Sequence, residues 1–170
     1  MLDETLICET PPLYSCDGRI GQQGRVPSSG NRRKRILQGV RNSKSGEVWL
    51  LITNEWGQET PQYFLAMMRA PWRGWRIVLF EDRGSPHTAE DRVELAAALN
   101  SELRFLPKAT PELNAMDHLW RHVKRLALAD RPTRSIEDSA LRACQDIFHM
   151  PPTERLRKAG VFSGNFWLTN

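Results

Sequence analysis

A run of consecutive apolar residues at positions 77–80 constrains the fold of this chain more than any other feature. The surrounding segment, residues 76–82, reads RIVLFED, and its apolar part shows no alternation with polar residues. A strand that is apolar on both faces has to be covered on both faces, as in parallel sheets flanked by helices. The run therefore predicts a central strand of an α/β layer architecture that ends at Asp82.

The segments around this run predict the other elements. RILQGV and EVWLLIT, separated by RNSKSG, predict two antiparallel strands joined by a turn. TPQYFLAMM and TAEDRVELAAAL each begin with a capping Thr and predict helices, whereas LRFLP predicts another strand. Residues 19–34 are rich in turn formers and predict a loop, and residues 135–149 predict a late helix. The order is a hairpin followed by alternating strands and helices, which indicates a mixed sheet.

Composition is that of a single soluble domain. The chain has 170 residues, of which 40% are hydrophobic and 26% are charged. A net charge of +4 permits a polyanionic partner without requiring one. The apolar stretches fall well short of the roughly 20 residues that cross a bilayer, and the N-terminal residues lack a signal-peptide layout. We therefore expect a cytoplasmic protein with no membrane contact.

Two aspartates with 34 residues between them are candidates for a metal site. Asp82 ends the predicted central strand, and ligands of such sheets bind beyond the carboxyl ends of the strands. Asp117 lies at the start of a predicted helix, after the turn at residues 107–114. Each has a plain structural alternative: a turn former for Asp82, and an i,i+4 ion pair with Arg121 for Asp117. Taken together, the two contexts favour the metal site.

Several blocks of this sequence, in order, resemble the catalytic domain of DDE transposases of the mariner superfamily, specifically their bacterial insertion-sequence relatives. The blocks are DETLICETPPL, GQQGRVP, KRILQGV, IVLFED with SPHTAED, and LPKATPELNAMDHLW. The resemblance extends from Asp3 to about Arg125, and the 34-residue spacing is typical of that superfamily. It implies a ribonuclease H-like fold, with a mixed five-stranded sheet flanked by helices.

The resemblance implies that Asp3, Asp82 and Asp117 form a catalytic triad that binds two Mg²⁺ or Mn²⁺ ions. Cleavage of a phosphodiester requires deprotonation of the nucleophile and stabilisation of the leaving oxygen, and two ions about 4 Å apart provide both. Carboxylate oxygens suit these hard cations better than His or Cys ligands do. The implied function is strand cleavage and strand transfer at the DNA ends of an insertion element and at its target.

Eight basic residues are candidates for contacts with DNA phosphates. The strongest are four consecutive cations before a predicted strand, because clustered cations gain affinity by releasing counterions. The full set is Arg32, Arg33, Lys34, Arg35, His87, Arg121, Lys124 and Arg125. The open alternatives are a solvated loop for the first four and a helix-entry residue for His87.

Three departures from the family pattern bear on activity. Arg83 follows Asp82 where relatives usually carry Asn. Only Met1 and Leu2 precede Asp3, which predicts a truncated first strand. The helix-turn-helix region that precedes this domain in relatives is not in the sequence, so an upstream polypeptide that carries one is a candidate partner, besides DNA and a second copy of this chain.

We expect residues 1–130 to form the catalytic domain and residues 131–170 to form a C-terminal helix and tail that pack on it. Two alternatives to an active strand transferase remain open. One is a catalytically inactive DNA-binding remnant of a transposase. The other is a general ribonuclease H-like nuclease.

Overall fold

The computed structural model describes residues 1–10, 12–14, 19–22, 25–27, 30–54, 59–84, 87–131 and 135–168. The strands are β1 (Leu2–Cys8), β2 (Lys34–Arg41), β3 (Val48–Thr53), β4 (Ile77–Glu81) and β5 (Ser101–Phe105). The α-helices are α1 (Glu59–Arg69), α2 (Glu90–Ala98), α3 (Ala115–Val123), α4 (Ile136–His149) and α5 (Pro152–Lys158). A 3₁₀ turn at Pro111–Leu113 precedes α3, and a π-helical turn at Lys124–Leu128 extends it. Parts of the predicted loop at 19–34, namely residues 23–24 and 28–29, lie outside the described residues.

The first three strands form an antiparallel sheet in the order β1-β2-β3. β1 pairs with β2 over its whole length and places Asp3 opposite Gly39. β1 starts at Leu2, passes through Asp3 and continues to Cys8, so the residues after Asp3 form most of the strand. The truncation of this strand before Asp3 stays a prediction. Its start is held by the Met1 amine, which donates to the Arg41 carbonyl at 2.9 Å.

The predicted hairpin between β2 and β3 is confirmed. The Asn42 side chain accepts hydrogen bonds from the backbone amides of Lys44 at 2.9 Å and Ser45 at 3.2 Å. Gly46 completes the turn with φ +74°, and a Cβ there would lie 2.4 Å from the Pro152 carbonyl oxygen. Glycine is therefore the residue that fits this turn on both conformational and steric grounds.

β4 and β5 form a separate parallel pair, connected through α2. The predicted single five-stranded sheet is not found, since the described residues form one sheet of three strands and one of two. β1 contacts β4, but no backbone ladder joins them. The expected mixture of antiparallel and parallel strands is therefore present, with the sheet divided between β1 and β4.

Helix α3 packs directly on the first sheet because Gly39 has no side chain. A Cβ on Gly39 would lie 2.4 Å from Met116 Cε and 2.6 Å from Trp120 Cζ2. Both of these α3 side chains are almost fully buried. Since Asp3 is the β1 partner of Gly39, the close approach brings the start of α3 over Asp3.

The C-terminal helices cover the same core. α4 contacts β1 and β2, and its first turn is capped by Ser135, whose hydroxyl accepts from the Asp138 amide at 3.1 Å. The buried Arg155 of α5 donates to the carbonyl oxygens of Ile147 at 2.9 Å and Gly46 at 3.1 Å. The domain boundary near residue 130 remains a prediction. Within the described residues, no helix has the length and apolar character needed to cross a membrane.

Candidate active site

An open cleft of about 450 Å³ lies at the carboxyl ends of β4 and β5, facing β1 and the start of α3. Its lining consists of Asp3, Glu4, Asp82, Arg83, Gly84, residues 106–111, Asn114 and Asp117. The structure thus brings the three predicted metal-binding aspartates to one cleft. Its position, beyond the carboxyl ends of parallel strands, is where α/β sheets bind ligands.

Asp3 is half-buried on β1. Burial raises the pKa of its carboxyl, and the negative charges of Glu4, Asp117 and Asp82 raise it further, to about 8. The other acidic groups are therefore near enough to disfavour ionisation of Asp3. A bound cation would offset this repulsion.

Asp82 follows the last residue of β4 and is the most exposed of the three, with a side chain 60% accessible. Its Oδ1 accepts a hydrogen bond from the Gly84 amide at 2.9 Å, which fixes the start of the loop. A Cβ on Gly84 would lie 2.8 Å from the His87 ring and 3.1 Å from Asp82 Oδ1. The loop is therefore packed closely around the carboxylate.

Asp117 lies in the first turn of α3. Asn114 caps this helix, accepting from the Met116 amide at 3.0 Å through its side chain and from the Asp117 amide at 3.0 Å through its backbone. Arg121 binds the Asp117 carboxylate, with Nε at 2.9 Å and Nη2 at 2.6 Å from Oδ2. The i,i+4 ion pair that the sequence offered as an alternative is thus formed.

The residue types of this cleft fit a hard divalent cation, but their side chains are not yet arranged around one. Four carboxylates line the cleft, and burial together with the negative charge of the other three raises the pKa of Asp3. Among the described residues, no three His, Cys, Asp or Glu groups converge closely enough to hold an ion. Both Arg121 contacts are made to Oδ2 of Asp117, so only coordination through that oxygen requires Arg121 to move.

A buried ionic network lies beneath the cleft. Glu81, at the end of β4, is fully buried and receives Arg92 Nη2 at 2.6 Å. The His87 ring lies between two acids, with Nε2 3.1 Å from Glu4 Oε2 and Nδ1 3.2 Å from Glu81 Oε2. The Nδ1 contact is an ion pair whose direction does not suit a hydrogen bond. This network links β1, β4 and α2 directly behind Asp82.

The protonation of His87 follows from these contacts. Burial alone would lower the pKa of the imidazole, but the interactions with Glu4 and Glu81 outweigh it and raise the pKa to about 10. The side chain is only 3% exposed, and a contact with DNA would require it to become accessible. The role of His87 in binding DNA stays a prediction.

The sequence reasoning missed Glu81 and Arg92. A signal for Arg92 was present, since it lies one helical turn before Ala96 on the buried face of α2. Its charge there requires a buried partner, and the strand-end Glu81 provides one.

The predicted basic run does not line the cleft. Arg33 pairs with Glu9 at 2.8 Å, and Arg35 pairs with Glu137. Of the other candidates, Arg32, Lys34 and Arg125 are exposed, and Lys124 is half-buried. Their contacts with DNA stay a prediction. The cations that do line the cleft are Arg83 and Lys108.

The family DDE superfamily endonuclease matches residues 1–139. The chain belongs to this family. The resemblance that the sequence blocks indicated is therefore confirmed at the level of the family. No curated protein matches the chain in sequence.

The fold of this DDE superfamily member is similar to that of the Mos1 mariner transposase. The Mos1 paired-end complex with Mg aligns with TM-score 0.76 and 20% identity, covering 93% of this chain and 50% of that chain. The paired-end complex with the left transposon end gives TM-score 0.73 and 20% identity, with the same coverages of 93% and 50%. The isolated Mos1 catalytic domain gives TM-score 0.60 and 17% identity, covering 79% and 72%. The chain thus spans about half the length of the chains in the paired-end complexes, and the likeness establishes the fold.

Proposed function

We propose that this domain cleaves DNA strands and transfers them at transposon ends by metal-dependent phosphoryl transfer. The observation that carries the proposal is the presence of Asp3, Asp82 and Asp117 on one cleft at the carboxyl ends of β4 and β5. Membership of an endonuclease family supports the reaction class. The paired-end complexes of Mos1 with transposon-end DNA support the substrate class.

The cofactor in this proposal is a pair of Mg²⁺ or Mn²⁺ ions held by the three aspartates. Mos1 structures contain Mg or Mn, which supports this choice. When bound, such ions activate the attacking oxygen and stabilise the leaving oxygen. The protein's own contribution is to bring Asp3 to the same cleft as Asp82 and Asp117 and to fix the start of α3 through the Asn114 cap. The bound cations would favour the ionised form of Asp3.

DNA would approach the cleft along its basic side. The four carboxylates of the cleft repel phosphate, and Arg83 and Lys108 supply the opposite charge on its lining. Arg83 Nε also donates to the Leu106 carbonyl at 3.3 Å, which holds the guanidinium between the loops after β4 and β5. Arg32 and Lys34 lie off the cleft and would contact flanking phosphates.

The remaining parts of the proposal rest on the resemblance to bacterial insertion-sequence relatives. They are a second copy of this chain for paired ends, an upstream polypeptide with a helix-turn-helix, and action in the cytoplasm. Two observations favour a catalytically inactive DNA-binding remnant as the second candidate. Among the described residues no three carboxylates converge closely enough to hold an ion, and Asp117 is paired with Arg121.

A nicking assay on DNA that carries the element ends distinguishes the two candidates. The active enzyme nicks this DNA with Mg²⁺ or Mn²⁺ and not with EDTA, and Asp82→Asn abolishes nicking. The matched control is Asp91→Asn, which changes an exposed aspartate of α2 away from the cleft and retains activity. Undiminished nicking by Asp82→Asn rejects the proposed site. Binding of the DNA without nicking, at any metal concentration, supports the inactive remnant.

A further inference from the structure

The chain turns back toward the cleft after α5. Gly160 has φ +75°, and its amide donates to the Arg157 carbonyl at 3.0 Å, while the Val161 amide donates to the Leu156 carbonyl at 3.0 Å. These two hydrogen bonds around a left-handed glycine constitute a Schellman motif, which ends a helix and reverses the chain. The structure of this turn therefore directs residues 161–168 across the protein.

This C-terminal segment is anchored in the core. Phe166 is 9% exposed and belongs to the same apolar cluster as the buried face of α3. Val161 and Leu168 pack against that cluster as well. Trp167 lies between Phe166 and Leu168, so its backbone is held on both sides.

The Trp167 side chain contacts two separate segments of the protein. Its ring centroid lies 5.0 Å from that of Phe80, with an interplanar angle of 82°, which is the favoured edge-to-face geometry. Its indole Nε1 donates to the Leu113 carbonyl at 2.9 Å. One aromatic side chain thus joins a strand of one sheet to the turn that precedes α3.

Both segments lead directly to proposed metal ligands. Phe80 belongs to β4, the strand that ends beside Asp82. Leu113 ends the 3₁₀ turn that leads through the Asn114 cap into α3 and Asp117. β4 belongs to the two-stranded sheet, whereas α3 packs on the three-stranded one, so neither sheet alone fixes the separation of the two aspartates.

We propose that Trp167 is a positioning residue that sets the separation of Asp82 and Asp117, and through it the affinity of the cleft for divalent cations. The inference rests on the proposed metal-dependent function. Trp167 lies beyond residues 1–139, the part that the family match covers. A residue outside the matched domain thus completes the site by holding two of its carboxylate-bearing segments together.

The direct test measures Mn²⁺ binding to the whole chain by electron paramagnetic resonance, without DNA. Trp167→Ala loses both contacts, and we expect its affinity to fall about tenfold, the lower end of the range for residues that orient metal ligands. Trp167→Phe keeps an aromatic ring for Phe80 but loses the N–H donor, so its affinity should lie between those of Trp167→Ala and the wild type. The matched control is Phe162→Ala, which removes an aromatic residue of the same segment that is 60% exposed, and its affinity should equal that of the wild type.

Hydrogen exchange on the metal-free protein separates positioning from general stability. Trp167→Ala should speed amide exchange in residues 80–84 and 111–117 and leave α4 unchanged. If Trp167→Ala does not fold, Trp167→Phe decides the question by the same two measurements.

Each outcome has a defined meaning. Unchanged Mn²⁺ affinity in a folded Trp167 variant, with a wild type that binds Mn²⁺, overturns the role of Trp167 and leaves the proposed function intact. A wild type that binds no Mn²⁺ overturns both. If the variant binds Mn²⁺ more weakly than the wild type, and the wild type cleaves no DNA, the positioning role is supported and the catalytic function is rejected.

Discussion

Arg121 and Asp117 form a two-pronged ion pair one helical turn apart, with both guanidinium contacts on the same carboxylate oxygen. Arg121 therefore neutralises part of the negative charge of Asp117, a proposed metal ligand. A cation that coordinates this oxygen has to compete with the guanidinium. The ion pair therefore weakens the attraction of Asp117 for a cation.

Replacing Arg121 by Gln should strengthen Mn²⁺ binding. An i,i+4 pair of this kind contributes up to about 0.5 kcal/mol, so its loss should improve the affinity about twofold. A titration followed by paramagnetic resonance measures the change. Arg125→Gln serves as the control, because it removes an exposed charge on the π-helical turn that extends α3. Equal effects of the two substitutions would indicate a general charge effect instead of competition for Asp117.

Replacing Asp3 by Asn should stabilise the metal-free protein increasingly as the pH rises from about 4 to 8. The folded-state pKa of Asp3 is raised from 3.8 to about 8, so the folded state binds the proton more tightly than the unfolded state. The wild type loses stability across that window, and the Asn variant lacks this titration. Urea unfolding in EDTA at several pH values measures the difference. Mg²⁺ should reduce it, and a difference independent of pH contradicts the assigned environment.

Gly39→Ala should displace α3 and destabilise the fold. The new Cβ would meet Met116 and Trp120 at contacts far below van der Waals distance, and such overpacking costs about 1–3 kcal/mol. Chemical unfolding reports the loss. Gly164→Ala is the matched control, because its Cβ would meet nothing within 4 Å. A fully stable Gly39→Ala would show that α3 does not approach β2 as closely as described.

His87→Ala should destabilise the protein by about 3–5 kcal/mol, because it leaves Glu4 and part of the Glu81 charge buried without a cation. Thermal or urea unfolding measures this change. His149→Ala alters an exposed histidine near the end of α4 and should cost less than about 1 kcal/mol. A loss of DNA affinity without a loss of stability would instead restore the sequence-based role of His87 as a phosphate contact.

The sequence predicted the parts of this fold that depend on local signals. The β2–β3 turn and the cap at Ser135 act over a few residues, and both lie where the pattern indicated. The apolar run does form a strand, but β4 is one of a pair and not central, and Val78 is 38% exposed. The predicted Thr caps are wrong, since α1 begins at Glu59 and the N-cap of α2 is Ala89. The division of the sheet between β1 and β4 depends on contacts between distant segments. The hydrophobic pattern of β1 or β4 does not indicate whether these two strands pair with each other.

The site was predicted in the same uneven way. The spacing of Asp82 and Asp117 and the family blocks identified three acids that the structure brings to one cleft. The burial of His87 was not predicted, since a buried histidine and an exposed one have the same neighbours in the sequence. The role of Trp167 depends on a chain reversal whose partners, Phe80 and Leu113, are remote in sequence.

The cleft draws its acids from β1, from the end of β4 and from α3, so it is built from chain segments that emerge from the ribosome at very different times. Contacts between segments so far apart in sequence form late and slowly. A nascent chain that has left the ribosome as far as Asp82 carries Asp3 and Asp82 but still lacks Asp117. The site is therefore incomplete at that stage. The topology therefore delays assembly of the cleft until α3 has been synthesised, and a partial chain lacks the third proposed metal ligand.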